Sequence, residues 1–306
     1  MKEKILVIVG PTAVGKTALS LELAKTYHGE IISGDSMQIY RHLSIGTAKI
    51  KPEDMQHIPH HLIDFLEPNE SYSASQFQAM AQEKIADIIE RGNLPIVVGG
   101  TGLYIEGLLR QMSFGGENSY TSNCRLRLQE RVDKEGIECL YQELSQKDPK
   151  AAQHIHINNP RRIIRALEVI EQTGQLFSEQ CTKERYDAFI IGLTTCREYL
   201  YERINQRVDM MMEQGLLQEA EWLFNQHYPD NTQSLKAIGY KELFPYLQQE
   251  ATLEDCVEVL KRNSRRYAKR QLTWFRNRMS VRWFDCLEDD KEILFEEVDA
   301  WLKKLS

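Results

Sequence analysis

The strongest chemical signal in the sequence is a short glycine-rich segment that fits the pattern G-x-x-x-x-G-K-[ST] in full. An apolar run over residues 5–9 precedes it and a helical pattern over 17–27 follows it, the context that this phosphate-binding loop (P-loop) requires. Successive backbone N–H groups of such a loop point at phosphate oxygens, Lys16 adds a mobile positive charge, and the Thr17 hydroxyl is the usual Mg²⁺ ligand. The segment therefore predicts a phosphorylated ligand. It consists of Gly10, Pro11, Thr12, Ala13, Val14, Gly15, Lys16 and Thr17.

The P-loop does not identify the ligand. Most such loops bind ATP or GTP, so a kinase or a nucleoside triphosphatase is the default interpretation. Two absences weigh mildly against it. No long apolar strand ends in an aspartate that would make a second magnesium site, since residues 62–64 are the nearest candidate and are short. The guanine-reading sequence Asn-Lys-x-Asp does not occur either.

Two polar residues follow predicted strands at the ends where ligands bind in open α/β sheets. Asp35 comes after a strand over 30–33, and Thr101 follows Gly99-Gly100 after a strand over 94–98. A carboxylate at this edge can face a ligand held by the P-loop and accept a proton from it. From the residues alone, Asp35 could equally be the N-cap of a following helix, and Thr101 could be an ordinary turn residue.

The elements that position these residues predict an α/β fold, a P-loop NTPase-like parallel sheet flanked by helices. The near-continuous apolar strands are typical of a sheet covered on both faces. The predicted strands of the first hundred residues are 5–9, 30–33, 61–65 and 94–98, and the predicted helices are 17–27 and 75–91.

A helical insertion is predicted to interrupt this core. Residues 113–122 are rich in Ser, Gly and Asn, as in a loop, and 123–180 show helical patterns without a convincing strand. Residues 189–195 are again strand-like and are expected to rejoin the sheet. The pattern from 198 to 278 is helical, and 281–284 is a candidate edge strand. We expect a catalytic core over 1–112 and 186–306 and an insertion domain over 113–185.

Positive charge is concentrated in residues 261–278, which hold eight Lys or Arg and no acidic residue. The net charge of the whole chain is −7, so removing these eight charges leaves −15 on the remainder. A basic helix with Tyr267, Trp274 and Phe275 interleaved suits contacts to an RNA backbone. The alternative is an amphipathic helix whose aromatic residues pack on the core, and both interpretations hold if Trp274 and Phe275 are buried.

The remaining composition predicts a cytoplasmic protein. No apolar run approaches the length that crosses a bilayer, and residues 5–9 are too short for the apolar part of a signal peptide. The six cysteines include no Cys-x-x-Cys pair, so reduced structural thiols are expected rather than a zinc site.

A series of motifs, taken in order and spacing, closely resembles the bacterial tRNA dimethylallyltransferases, also called tRNA isopentenyltransferases, over nearly the whole chain. Val14 stands where the family has a small residue, and the zinc-finger tail of the eukaryotic relatives is missing. The motifs beyond the P-loop are Asp35-Ser36-Met37-Gln38-Ile39-Tyr40, Gly46-Thr47-Ala48-Lys49, Pro59-His60-His61-Leu62-Ile63-Asp64, Ser71-Tyr72-Ser73-Ala74, Gly99-Gly100-Thr101-Gly102-Leu103-Tyr104, the run 159–168, Ile238-Gly239-Tyr240-Lys241-Glu242 and Lys269-Arg270-Gln271-Leu272-Thr273-Trp274.

The resemblance implies that the P-loop, residues 10–17, binds dimethylallyl diphosphate with Mg²⁺ at Thr17. It implies transfer of the prenyl group to N6 of the adenosine on the 3′ side of a tRNA anticodon. Asp35 would be the general base, Thr101 would hold the amine or a diphosphate oxygen, and Arg207 would assist the departing diphosphate.

The resemblance also implies contacts to the tRNA anticodon stem-loop, whose target adenine must leave its stack to reach a closed pocket. A monomer is the default expectation. The residues expected to contact tRNA are Asp35, Ser36, Met37, Gln38, Asn123, Arg161, Arg162, Arg165, Lys236, Lys241, Arg265, Lys269 and Arg270.

Three other functions compete with this one. The first is the same chemistry on free AMP or ADP, which would need neither a helical insertion nor a basic segment. The second is a small-molecule P-loop kinase, which would turn over ATP without RNA. The third is an RNA-binding module with an inactive P-loop, against which the intact Lys16, Thr17, Asp35 and Thr101 argue.

Overall fold

A computed structural model describes residues 2–112, 123–179 and 184–304 of the chain. The chain divides into two compact units, one formed by Met1–Leu109 with Glu184–Ser306 and the other by Arg110–Lys183. These unit boundaries fall beside the expected domain boundaries at 112/113 and 185/186. The predicted Ser-, Gly- and Asn-rich loop over 113–122 lies outside the described residues.

The first unit is built on a six-stranded sheet in which every pair of neighbours is parallel, in the order β3-β2-β4-β1-β5-β6. This confirms the predicted class, a parallel sheet flanked by helices. The strands are β1 (Lys4–Val9), β2 (Gly29–Ser33), β3 (His60–His61), β4 (Leu94–Gly99), β5 (Asp187–Thr194) and β6 (Arg282–Asp285). The helices of this unit are α1 (Lys16–Thr26), α2 (Ala74–Glu90), α3 (Gly102–Arg110), α8 (Arg197–Glu213), α9 (Leu216–Phe224), α10 (Phe244–Leu247), α11 (Leu253–Arg278) and α12 (Lys291–Lys303).

The central strand β1 shows why its sequence is a continuous apolar run. Ile5, Val7 and Val9 pack into one hydrophobic core, and Leu6 and Ile8 pack into a second core on the opposite face. All five side chains are 0% exposed. Alternate residues of a strand point to opposite faces, so a sheet covered on both sides needs apolar residues at every position.

Two predicted elements differ from the structure, and a third is confirmed. The strand expected over 61–65 is only β3, because Leu62 and Asp64 adopt left-handed backbone with φ of 56° and 57°. The helical stretch expected over 198–278 is interrupted over 225–243, where a short 3₁₀ helix is the only helical part described. The candidate edge strand is present as β6 and pairs with β5 from Ile191 onwards.

The regular structure described in the second unit is helical, with α4 (Asn123–Glu135), α5 (Ile137–Lys147), α6 (Pro149–His154) and α7 (Pro160–Thr173). Its own core includes Leu128, Leu140 and Leu167, all fully buried. Asp148 ties the unit together, since its carboxylate accepts hydrogen bonds from the Ala151 N–H at 3.0 Å and the Ser178 hydroxyl at 2.6 Å. Burial opposes ionisation, but these hydrogen bonds hold the pKa of Asp148 below its ordinary value.

No helix in the described parts of the chain combines the length and the apolar composition that crossing a membrane requires.

Candidate active site

The P-loop leaves the carboxyl end of β1 and leads into α1, as its motif requires. Gly10, Ala13 and Gly15 have φ of 145°, 65° and 107°, and these left-handed conformations wrap the backbone tightly. Gly15 is the N-cap of α1, and no side chain occupies the cap position. The N–H groups at this helix N-terminus, with the positive end of its dipole, are therefore suited to binding an anion.

Val14, the residue that departs from the family pattern, points away from the loop's binding face. Its side chain is 2% exposed and packs in the core beside Ile8 and Leu193. The substitution therefore changes the packing beneath the loop and leaves the backbone N–H groups in place.

Lys16 is held within the loop that it belongs to. Its Nζ donates hydrogen bonds to the carbonyl oxygens of Gly10 at 3.0 Å and Pro11 at 2.7 Å. Burial and the positive charge of Arg207 lower the pKa of Lys16 to about 8, and the negative charge of Asp35 opposes them. The ammonium group is therefore charged at neutral pH in surroundings that favour a nearby anion.

Two arginines of α8 face the P-loop across a cavity. Burial lowers the pKa of Arg207, the negative charge of Asp35 raises it, and the positive charge of Arg203 lowers it again. Within the described residues, the Arg207 guanidinium makes no hydrogen bond or ion pair. Arg203 lies with its guanidinium carbon 5.7 Å from the ring centre of Tyr199. A desolvated cation without a directly bound protein anion is costly, so this arrangement favours an anionic ligand.

Asp35 lies directly after β2 and lines the same cavity. Its Oδ1 accepts a hydrogen bond from the Met37 N–H at 2.9 Å, which is a turn held by the aspartate side chain. The helix N-cap interpretation is wrong, because the first helix after Asp35 is the short 3₁₀ helix Pro52–Met55. None of the described residues donates a hydrogen bond to the second carboxylate oxygen, which is left for a ligand or a proton.

Thr101 supports this turn from behind. Its Oγ1 accepts a hydrogen bond from the Ser36 N–H at 3.1 Å and lies 3.3 Å from the Ser36 hydroxyl. It also hydrogen-bonds the Tyr267 hydroxyl, whose pKa is raised by burial and by the negative charge of Asp35. Ser36 and Tyr267 line the cavity, whereas Thr101 is not among the lining residues. The described contacts therefore give Thr101 a supporting position.

The cavity at the carboxyl edge of the sheet has a volume of about 600 Å³. It brings together the P-loop, the Asp35 turn and the two arginines of α8. One part of its lining is apolar and comes from α8, α11 and the segment before Tyr240. That part consists of Ile204, Val208, Met211, Ala237, Ile238 and Leu260.

Gln271 on α11 joins two walls of this cavity and was not predicted as a site residue. Its Oε1 accepts a hydrogen bond from the Thr12 N–H at 2.9 Å, and its Nε2 donates to the Gly100 carbonyl at 3.1 Å. The side chain is 5% exposed. It lies within the quoted motif 269–274, but the motif alone does not indicate which distant backbone groups it would bind.

The residues expected to contact tRNA fall into two groups. Within the first unit, Arg265 donates to Asn205 Oδ1 at 2.6 Å and Lys269 is exposed on α11. In the second unit, Asn123 and Arg161 are exposed, and Arg165 forms an ion pair with Glu168 at 2.7 Å. Arg162 is partly buried near the start of α7. The predicted tRNA-contacting residues that line the cavity are Asp35, Ser36, Met37, Gln38, Lys236, Lys241 and Arg270.

The parallel sheet, the P-loop at the end of β1 and the cationic cavity define a P-loop α/β protein that binds a phosphorylated ligand. Residues 38–278 match the model of a protein family described as IPP transferase. The chain belongs to this IPP transferase family, which confirms the resemblance found in its motifs.

Similar proteins extend this match to nearly the full chain. The chain is 52% identical over 297 residues to a tRNA dimethylallyltransferase of Bacillus cereus, covering 95% of this chain and 92% of that protein. It is 50% identical to a solved tRNA isopentenylpyrophosphate transferase of Bacillus halodurans, with a TM-score of 0.74 and coverage of 98% and 96%. A solved eukaryotic dimethylallyltransferase acting on tRNA is 31% identical, with a TM-score of 0.86 and coverage of 98% and 79%.

Proposed function

We infer that the protein transfers the dimethylallyl group of dimethylallyl diphosphate to N6 of the adenosine on the 3′ side of the anticodon in tRNA. Diphosphate is the other product. The observation that carries this inference is the cavity that the P-loop with its Lys16, Arg207 of α8 and Asp35 line together. Cations for a leaving group and a carboxylate for a proton are the two requirements of this alkylation.

The P-loop and its cations are proposed to bind the diphosphate. Negative charge builds on the leaving oxygens as the bond to the allylic carbon breaks. The loop N–H groups are fixed by the backbone, and Lys16 and Arg207 line the same cavity, so together they stabilise the departing charge. Arg207 remains our proposed catalytic residue for this step.

The apolar side chains that α8 and α11 contribute to the lining, those of Ile204, Val208, Met211 and Leu260, are proposed to hold the five-carbon prenyl group. Ile204, Val208 and Leu260 are 2%, 3% and 2% exposed, so they form a close-packed wall with little freedom to move. Such a wall favours an isoprenoid and excludes water from the reactive carbon. Excluding water is needed because an allylic cation-like centre would otherwise be hydrolysed.

Asp35 is proposed as the general base. The exocyclic amine of adenine is a weak nucleophile, because its lone pair is delocalised into the ring. The Asp35 carboxylate accepts the amine proton as the carbon–nitrogen bond forms, a contribution of typically 10²–10⁴-fold in rate. Ser36, Thr101 and Tyr267 hold the turn that aims this carboxylate.

Mg²⁺ is proposed to accompany the diphosphate, with Thr17 as its ligand from the protein. The described residues contain no group of three or more His, Cys, Asp or Glu side chains that could hold a metal ion. Thr17, by contrast, lines the cavity beside the phosphate-binding loop. This donor set fits Mg²⁺, which is usually bound through substrate phosphates and water with few protein ligands. When bound, the ion neutralises charge on the diphosphate.

The tRNA anticodon stem-loop is proposed to contact residues of both units, most of them basic, and the protein is proposed to act as a cytoplasmic monomer. In the first unit, this surface would include Lys236, Lys241, Arg265, Lys269 and Arg270. In the second unit, it would include Asn123, Arg161, Arg162 and Arg165. The target adenine must be unstacked to reach Asp35, at a cost of a few kcal/mol.

Transfer of radiolabelled dimethylallyl diphosphate to unmodified tRNA tests this proposal, with AMP and magnesium-free reactions in parallel. We expect label in tRNA only, and only with Mg²⁺ present. Label in AMP alone would assign the protein to the adenylate-prenylating enzymes. ATP consumed without RNA, and no label transferred, would favour the P-loop kinase instead.

A further inference from the structure

A carboxylate outside the cavity holds one of its walls. Glu219 in α9 accepts hydrogen bonds from three consecutive backbone N–H groups, those of Ser44 at 2.8 Å, Ile45 at 3.0 Å and Gly46 at 2.9 Å. The Tyr240 hydroxyl donates a fourth hydrogen bond at 2.7 Å. Successive N–H groups of this kind form a concave anion-binding site, and here an internal side chain fills it.

The loop bound by Glu219 is fixed on its other side as well. The N–H groups of Ala48 and Lys49 donate to the carbonyls of Ile45 and Ser44, both at 2.9 Å, which closes the turn. Gln38 donates from Nε2 to the Thr47 carbonyl at 3.2 Å. The turn over residues 44–49 therefore has defined partners on both faces, and its residues 46–48 line the cavity.

Tyr240 extends the same arrangement to a second loop. Its ring is 0% exposed and packs on Gly46 so closely that a Cβ there would lie 2.6 Å from a ring carbon. Gly239, which precedes it, approaches the Gly46 backbone and has a φ of 112°. Residues 237–239 also line the cavity, so one carboxylate joins two neighbouring parts of its wall.

We propose that Glu219 is a positioning residue for the tRNA-facing wall of the cavity. This inference rests on the proposed function, because it assigns that wall to the substrate adenosine and its neighbours. The wall adjoins Gln38, Lys236 and Lys241, which are proposed tRNA contacts. The P-loop has separate anchors in β1 and Gln271. Loss of the Glu219 charge therefore disturbs tRNA binding and leaves diphosphate binding intact.

Steady-state kinetics of Glu219→Gln test the proposal, with both substrates varied separately. The amide keeps the shape but replaces one acceptor oxygen with a donor that faces the backbone N–H groups. We expect the KM for tRNA to rise about tenfold, the scale of losing hydrogen bonds to a charged group, while the KM for dimethylallyl diphosphate stays at the wild-type value. Tyr240→Phe should change the KM for tRNA in the same direction by less.

Glu221→Gln is the matched control, since Glu221 lies on the same helix and is exposed. It should leave both KM values unchanged. Equal changes in both KM values for Glu219→Gln would overturn the proposal. So would a loss of activity that accompanies a lower melting temperature without a change in the KM for tRNA, because Glu219 would then have only a role in stability.

Two measurements without turnover separate this inference from the proposed function. Hydrogen exchange of the peptide covering residues 44–46 should speed up in Glu219→Gln, because these amides lose their acceptor. Binding of unmodified tRNA should weaken while binding of inorganic diphosphate is retained. An inactive wild-type protein would refute the proposed function, and these two measurements would still decide the role of Glu219. If Glu219→Gln leaves both the hydrogen-exchange rate and tRNA binding unchanged, the proposed role of Glu219 is overturned.

Discussion

Arg207 lies where the diphosphate of a substrate would neutralise its charge. Its guanidinium is partly desolvated, and its positive charge lowers the pKa of Lys16 across the cavity. Lys16 and Arg207 repel each other in the free protein, but both attract a diphosphate that lies between them. The attraction between these cations and a diphosphate therefore arises only in the bound state, where it stabilises the leaving group.

Asp35→Asn separates the proposed base from the turn that holds it. Asparagine can still accept the hydrogen bond from the Met37 N–H, so the local fold should persist. We expect kcat to fall about 10²–10⁴-fold while tRNA binding stays near the wild-type value. Transfer assays with a filter-binding measurement on the same samples provide the comparison. A kcat close to that of the wild type would exclude Asp35 as the base.

The lowered pKa of Lys16 predicts that diphosphate binding depends on pH. Its pKa of about 8 in the free protein is below the ordinary value, so the side chain loses its charge as the pH rises through 8. Affinity for the diphosphate should therefore fall above about pH 8. In Arg207→Gln this fall should move to higher pH, because the neighbouring positive charge that lowers the pKa of Lys16 is gone.

Calorimetric titration of inorganic diphosphate between about pH 6.5 and 9.5 measures this dependence. Lys16→Met is the control, since it retains only the ionisation of the ligand itself. A wild-type profile that superimposes on that of Lys16→Met would contradict the assignment.

Among individual residues, the sequence alone predicted those that belong to a recognisable motif or directly follow a recognisable strand. The P-loop fixes its own geometry within eight residues, and Asp35 follows a recognisable strand. Gln271 and Glu219 were missed because each binds backbone N–H groups far away in the chain. Any polar side chain can bind a backbone group, so the pattern of neighbouring residues does not reveal such a contact.

At the level of secondary structure, helix α11 packs against the site with one face and is exposed to solvent on the other. Gln271 and Phe275 are buried on the inner face, whereas Arg266, Lys269 and Arg270 are exposed. Both sequence interpretations of this basic helix are therefore compatible with its burial pattern. Trp274 is partly buried against Gly102, with Arg278 stacked 4.4 Å from its ring centre.

Gln271→Leu should loosen the connection between α11 and the P-loop. The Thr12 N–H and the Gly100 carbonyl would lose their partners, and an unsatisfied buried group costs about 1–3 kcal/mol. We expect urea unfolding to show a lower midpoint and the KM for dimethylallyl diphosphate to rise. Asn277→Leu, an exposed position on the same helix, should change neither value. Unaltered stability in Gln271→Leu would contradict the predicted connection.

The elements that sequence patterns predicted well are those with a strong hydrophobic period or a buried apolar run. Helix α2 begins at Ala74 after a Ser73–Gln76 capping box, one residue from its predicted start. The third strand was overestimated because Leu62, Ile63 and Phe65 are apolar, whereas the backbone at Leu62 and Asp64 is left-handed. Helix α12 was missed, although Asp290 caps it and Leu294, Val298 and Trp301 are spaced for burial on one face.

For the whole molecule, the segregation of charge matters more than the net value of −7. Of the eight cations in residues 261–278, Lys261 pairs with Asp209 at 2.7 Å and Arg278 pairs with Glu106 at 3.2 Å. The exposed cations of this segment are free to meet a polyanion. They are Arg262, Arg266, Lys269, Arg270 and Arg276.

The double variant Arg266→Gln/Lys269→Gln should bind tRNA with a weaker dependence on salt. Two phosphate contacts fewer release fewer counterions, which lowers the slope of log affinity against log salt by about 1.4. Binding measured across a salt series gives this slope directly. Lys261→Gln is the control, since its charge is already paired with Asp209. An identical slope in the double variant would place the RNA elsewhere.

The parallel pairing of β1 with β5 spans most of the chain and bears on how the protein is made. The strands β3, β2, β4 and β1 are complete once residue 99 has been synthesised, but β5 begins only at Asp187. At translation rates of about 5–20 residues per second, β1 waits roughly 4–18 seconds for its second neighbour. During that interval the nascent chain carries an apolar strand with an open edge, the feature that promotes aggregation and that chaperones protect.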